Sequence, residues 1–134
     1  MITSTRTGLI LYVKKYKECV SFYKEILALS ILFQNEMLTC FDFYGTYLMV
    51  EIEDRAEYLT QNVMNKNYSC LRIHVDNVEN AVHMMKAKGI EVNYQKHDWG
   101  EVAKFFDPEG NMIAFKDEPK FVDQIEEYSK RNII

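Results

Sequence analysis

After a short polar start, apolar residues run together in "GLILYV" (Gly8–Val13), a length and composition that predict a buried strand. The period then lengthens. Tyr16, Cys19, Val20, Tyr23, Ile26 and Leu27 recur at helical spacing, and Lys14, Lys15, Lys17, Glu18, Lys24 and Glu25 fill the other face. This predicts an amphipathic helix across "YKECVSFYKEILAL". "SILFQN" predicts a short strand. "LTCFDFYGTYLMVEIE" predicts two strands joined around Tyr44-Gly45-Thr46, where Gly45 supplies positive φ.

The pattern fades over residues 54–68, which read as a connector with at most one helical turn, and then restarts. "CLRIHV" is a strand and "NVENAVHMMKAKG" an amphipathic helix, with Asp76 or Asn77 as its cap and Gly89 as its end. On this helix Met84 and Met85 read as core fillers. "IEVNYQKH", "EVAKFFD" and "MIAFKD" are strands, the last two joined by the turn "DPEGN". Pro119 opens a final helix whose apolar face is Phe121, Val122, Ile125 and Tyr128. The order is therefore β-α-β-β-β twice, then a helix. The halves match weakly at an offset of about 62 residues, Val13 with Val75, Cys19 with Ala81, Val20 with Val82, Phe22 with Met84.

Composition narrows the function classes. The 134 residues suit one domain or two small modules. A net charge of -4, with Lys and Arg scattered among acids, argues against a nucleic-acid partner. Cys19, Cys40 and Cys70 are odd in number, far apart and without a CxxC pair, which argues against a disulfide framework and a zinc ribbon. The apolar run "LILYV" is too short for a secretory signal or a membrane span. The expectation is a cytoplasmic protein with reduced thiols.

The twice-repeated order, the helix phrase "CVSFYKEILAL" and the ending "FFDPEGNMIAF" resemble the vicinal-oxygen-chelate superfamily of glyoxalase I, extradiol dioxygenases and bleomycin-resistance proteins, over about residues 8–117. The resemblance implies an α+β fold in which two βαβββ modules form a half-barrel cup, here with a C-terminal helix added. It implies one domain over 1–134, with modules at about 8–53 and 69–117, connector 54–68 and helix 119–130. It also implies a ligand or divalent metal inside the cup, and a homodimer.

Strand alternation sorts the side chains by face. Leu9, Leu11 and Val13, then Leu48, Val50 and Ile52, then Leu71, Ile73 and Val75, then Ile113 and Phe115 suit the helix-covered core. That leaves Gly8, Ile10 and Tyr12, then Tyr47, Met49 and Glu51, then Cys70, Arg72 and His74, then Met112, Ala114 and Lys116 for the cup. Placed on the family's metal pattern, the four ligand positions fall at Gly8, Glu51, Cys70 and Ala114. Only Glu51 matches, and Gly8 and Ala114 bring no donor. Cys70 offers a thiolate to a soft metal. Catalytic zinc takes about three protein ligands. His74 lies roughly 13 Å along the strand from Cys70, too far to stand in for the missing imidazole.

The expected ligand contacts are Tyr12, Tyr47, Met49, Glu51, Cys70, Arg72, His74, Trp99, Met112 and Lys116. Arg72 reads equally as a clamp on an anionic or carbonyl group and as one half of an internal ion pair with Glu51. Glu51 and His74 are the candidates for proton transfer, although a lone histidine is more often structural. Trp99 is a cup wall, a rim residue or a packing anchor; His83 reads as a surface residue, and His97, near a strand end, as exposed or capping. The function expected is binding of a small organic molecule without a catalytic metal or other cofactor, as in the bleomycin-resistance branch. The alternative is a metal-dependent lyase, isomerase or dioxygenase of the glyoxalase type with a non-standard site.

Overall fold

The computed structural model describes residues 2–59 and 69–131. Its backbone divides into two compact units, Met1–Asn65 with Asp107–Gly110, and Lys66–Phe106 with Asn111–Ile134. Each contains one four-stranded mixed sheet and a helix in βαβββ order, so the fold is α+β with two such modules and a helix at the end.

In the first unit, β1 (Gly8–Val13) leads into α1 (Tyr16–Ser21), which continues as a π-helical turn over Phe22–Ile26. Then come β2 (Ile31–Gln34), β3 (Leu38–Phe43) and β4 (Thr46–Ile52), in sheet order β1-β4-β3-β2. β1 and β4 run parallel and the other neighbours antiparallel. Phe43 pairs with Thr46, and Tyr44 (φ 50°) and Gly45 (φ 93°) between them form the two-residue turn that matches strand twist. One sheet face meets the helix. Leu11, Val13, Phe41, Leu48 and Val50 are buried there together with Cys19, Phe22 and Tyr23. Leu9, expected in this core, is exposed, so only the later half of β1 is covered.

The helix is shorter than its periodicity predicts. Ala28 turns to φ 55° and breaks the run before Leu29. No side chain of its own caps α1. Instead the Glu109 carboxylate accepts the backbone N–H groups of Lys14 (3.0 Å) and Lys15 (2.9 Å). In the same "DPEGN" segment, Asp107 accepts the buried Tyr23 hydroxyl at 2.6 Å and the Glu109 N–H at 2.9 Å. This motif is a structural clasp on α1. A four-residue helical turn, α2 (Ala56–Leu59), follows β4. The rest of the expected connector, residues 60–68, lies outside the described residues, as does the "NII" end.

In the second unit, β5 (Cys70–Val75), α3 (Val78–Ala87), β6 (Asn93–His97), β7 (Gly100–Phe106) and β8 (Met112–Asp117) form the sheet β5-β8-β7-β6 with its helix. Asn77 caps α3 by accepting the Asn80 N–H at 3.0 Å. Gly89 (φ 79°) closes it, with its own N–H on Lys86 and that of Ile90 on Met85. This six-residue closing motif uses up Ile90. β6 therefore starts at Asn93 and not at Ile90. Val78, Val82 and Met85 are buried at helical spacing, while Met84, expected in the core, is exposed. α4 (Glu118–Arg131) carries no buried residue.

Candidate functional site

β-strand register fixes which side chains share the sheet face opposite each helix. In the first unit that face carries the rows Gly8–Tyr47–Asp42, Ile10–Met49–Cys40–Phe33 and Tyr12–Glu51–Leu38. The expected residues Tyr12, Tyr47, Met49 and Glu51 are therefore neighbours on one surface. A cavity of about 370 Å³ opens on it, lined by Arg6, Leu32, Phe33, Cys40, Tyr47 and Met49. Its size and largely apolar lining are those of a small-molecule pocket. A larger hollow of about 460 Å³ lies along α1 beside Pro108 and is lined by none of the expected ligand contacts.

Tyr47 occupies the ground above Gly8. A Cβ built on Gly8 would stand 2.1 Å from the Tyr47 Cζ and 2.2 and 2.4 Å from its two Cε atoms. The ring thus lies flat on the backbone where a longer residue would project. Tyr12 is half exposed, and the Arg55 guanidinium sits 4.7 Å over its ring. Arg55 is itself held by Glu53, with Nε on Oε1 at 2.8 Å and Nη2 on Oε2 at 2.7 Å. The Arg55 bonds hold the Glu53 carboxyl below the usual carboxylate range, outweighing burial. Glu51 is half buried and has no hydrogen-bond or ion-pair partner among the described residues. Cys40 is buried, and burial pushes its thiol up, against the opposing charge of Arg6.

In the second unit the corresponding face carries the rows Cys70–Met112–Phe106, Arg72–Ala114–Lys104–Asn93 and His74–Lys116–Val102–Gln95. Cys70 and Arg72 are exposed and Met112 is half buried. Burial pushes the Cys70 thiol up, and the charges of Arg72 and Lys104 oppose it. His74 is bonded through Nδ1 to Glu118 Oε1 at 3.1 Å and meets the Phe121 ring edge-on at 4.6 Å. Lys116 is fully buried, its ammonium 2.8 Å from Asp117 Oδ1 and 5.4 Å from the Trp99 ring centroid. Gly100 makes room for that ammonium, since a Cβ there would stand 2.3 Å from Nζ. Trp99 stacks on His97 at 4.6 Å. His74, Lys116 and Trp99 therefore already hold partners within their own unit.

Gly8 opposite Tyr47 in the first sheet corresponds to Cys70 opposite Met112 in the second. Two residues on, Met49 is the counterpart of Ala114, and four residues on, Glu51 is the counterpart of Lys116. Among the described residues no three His, Cys, Asp or Glu side chains gather as a metal site. Arg6, Leu32, Phe33 and Cys40 are the lining residues that the sequence reading did not single out. Cys40 was within reach, because it alternates with Leu38 on β3.

A mixed sheet built as βαβββ, twice in one chain and with a helix against each, defines the class of paired βαβββ-module proteins. The family model of the glyoxalase-like domain matches residues 7–118, and the chain belongs to that family. No curated protein matches the sequence. Among solved structures, the fold is similar to lactoylglutathione lyase from Agrobacterium tumefaciens (TM-score 0.70, 16% identity, 89% of this chain and 96% of that one). It is also similar to a glyoxalase/bleomycin resistance protein/dioxygenase from Nocardioides (TM-score 0.71, 16% identity, 87% and 85%). A third is TnmS3, an antibiotic binding protein from Streptomyces sp. CB03234 (TM-score 0.66, 20% identity, 87% and 98%).

Proposed function

We propose that this protein binds a small organic molecule in the cavity of its first sheet, without a catalytic metal. The observation that carries this reading is the Tyr47 ring on Gly8 at the edge of that cavity. The same ring that covers the family's first ligand position forms one wall of the cavity. The residues present do not fit the metal that the resemblance implies. Gly8 and Ala114 have no donor atom, and Met49 holds the fourth-strand place symmetric to Ala114. Cys70 is then the one donor by strand register, or Cys70 with Glu51 by the sequence placement, against about three for a catalytic zinc. That one neighbour in fold is an antibiotic binding protein agrees with a binding role.

The test is the metal content of tag-free protein after incubation with zinc, nickel, manganese or iron and desalting. The expected result is no retained metal. About one equivalent per chain, lost in Glu51→Ala, overturns the reading.

A second reading, an enzyme that moves a proton without a metal, rests on Glu51. It is half buried, unpaired among the described residues, and shares its sheet face with the cavity residues. A general base has to reach its substrate's proton at hydrogen-bond distance, so this reading requires a ligand that extends from the cavity along the sheet face to Glu51.

The reading also includes a homodimer in the cytoplasm. Val122, Ile125 and Tyr128 lie exposed along α4 and supply an apolar face for a second copy. The three cysteines are free. Among the described residues no helix is long and apolar enough to cross a membrane. Sedimentation velocity on wild type and Ile125→Asp tests the dimer: a dimer that falls to monomer supports it, and a monomeric wild type overturns it.

A further inference from the structure

The cavity of the first sheet has one charged residue on its lining, and it is a cation. Leu32, Phe33, Cys40, Tyr47 and Met49 supply apolar and aromatic surface, and Arg6 supplies a guanidinium. That guanidinium has no ion-pair or hydrogen-bond partner among the described residues. Asp42 is the acid nearest in register, on the row Gly8–Tyr47–Asp42 of the same face, and it makes no ion pair with Arg6. Arg55, the cation over the Tyr12 ring, behaves differently and is held by Glu53.

An apolar pocket gives a ligand affinity through area, and its few polar groups fix orientation and choice. Guanidinium presents planar paired donors that suit a carboxylate, sulfonate or phosphate. An exposed, unpaired cation at the rim of apolar walls therefore selects a molecule with an apolar ring or chain and one anionic head. We infer that the ligand of this cavity is an amphipathic organic anion whose charged group pairs with Arg6. The inference rests on the cavity reading and specifies it.

Two fluorescent probes separate the claims. 8-Anilinonaphthalene-1-sulfonate carries the anionic group, and N-phenyl-1-naphthylamine is the same ring system without it. The expected result is saturable binding of both, with the sulfonate bound about tenfold more tightly, the ordinary worth of one charge-assisted hydrogen bond. Arg6→Gln is expected to bring the sulfonate down to the affinity of the neutral probe. Lys24→Gln, which removes the same charge from an exposed helix position, is expected to leave both affinities unchanged. Met49→Trp, or Leu32→Trp where the first variant melts early, is expected to weaken both probes by filling the cavity. Equal affinities that Arg6→Gln does not alter overturn the anion inference and leave the cavity standing. Absence of saturable binding, or binding indifferent to both filling variants, removes the cavity reading and the inference with it.

Discussion

The Tyr47 ring lies on Gly8 so closely that a single added carbon would stand 2.1 Å from its Cζ. Gly8 is thus a platform for the aromatic ring of Tyr47, which lines the cavity. Glycine is needed for that contact, and the reason is space and not backbone conformation.

Gly8→Ala is therefore expected to push the Tyr47 ring off its seat. The ring is the far end of a side chain and can swing, so the stability cost is expected at about 1 kcal/mol, at the low end for overpacking. The larger effect falls on the cavity that Tyr47 lines, with probe affinity dropping severalfold. Tyr47→Ala on the same background should recover the lost stability but not the affinity. Paired denaturation and probe titrations read both.

The "DPEGN" turn makes a second prediction. Tyr23→Phe deletes the bond to Asp107, both groups being buried, and should cost about 1–2 kcal/mol in chemical denaturation at pH 7. Burial, then the charge of Asp107, push the Tyr23 hydroxyl well above its ordinary range. Burial, then the charges of Asp107 and Glu109, push the Cys19 thiol up to about 12. Both groups keep their protons in the folded state and lose them sooner when unfolded. Their stability is fully present below about pH 9 and falls as pH rises past the unfolded thiol and then the unfolded phenol. Wild type should weaken from about pH 9 and more steeply above about pH 10. In Tyr23→Phe the steeper part should be reduced, the remainder coming from Tyr94, which its bond to Glu101 pushes up to about 12.

The buried pair at the end of β8 makes a third. Burial raises the Asp117 carboxyl, but Lys116 and the N–H groups of Glu101 and Lys120 outweigh it and hold the group below its usual range. The stability this gives is present above the unfolded value of about 3.9 and is lost as pH falls through the lower folded value. Lys116→Met leaves that carboxylate buried beside an apolar chain and should cost about 3 kcal/mol at pH 7. Lys116→Met with Asp117→Asn should recover part of the loss. Equal stability of the single and double variants would count against the pairing.

Gly89 tests how the second helix ends. Its φ of 79° is left-handed, and nothing lies within 4 Å of where a Cβ would stand. Gly89→Ala should therefore cost about 1 kcal/mol from backbone conformation alone. A markedly larger loss would mean that the closing bonds through Gly89 and Ile90 are broken as well.

Much of this was legible in the sequence because alternation survives where a strand is covered on one face. Leu11 and Val13, Leu48 and Val50, and Ile73 and Ile113 fell into the core as their spacing required. The face opposite the first helix followed from the same alternation, which brought Tyr47 and Met49 to the cavity. The cavity's other wall was not legible. Between Ile31 and Phe33 the register of β2 against β3 shifts, so the adjacent Leu32 and Phe33 both line the cavity. No period of two allows that. Arg6 precedes the first strand and lies in no pattern at all. Conversely, His74 and Lys116 alternated correctly onto the second face, but their partners Glu118, Phe121 and Asp117 come from the final helix and strand end. Spacing within one strand carries no information about such partners. The internal repeat keeps its offset of 62 at Gly8 and Cys70 and at the buried Tyr23 and Met85, but one of its matches sets a buried residue against an exposed one. Matching Phe22 to Met84 assumed identical helices, but the first continues as a π-helical turn and the second does not, and Met85 takes the buried place.

The most direct measurement is a titration of N-phenyl-1-naphthylamine into chelator-stripped protein, repeated after loading with zinc, nickel, manganese and iron. The account expects one saturable site per chain, weakened by Met49→Trp, with the same affinity whether or not metal was offered. Binding that appears only once a metal is restored would contradict it.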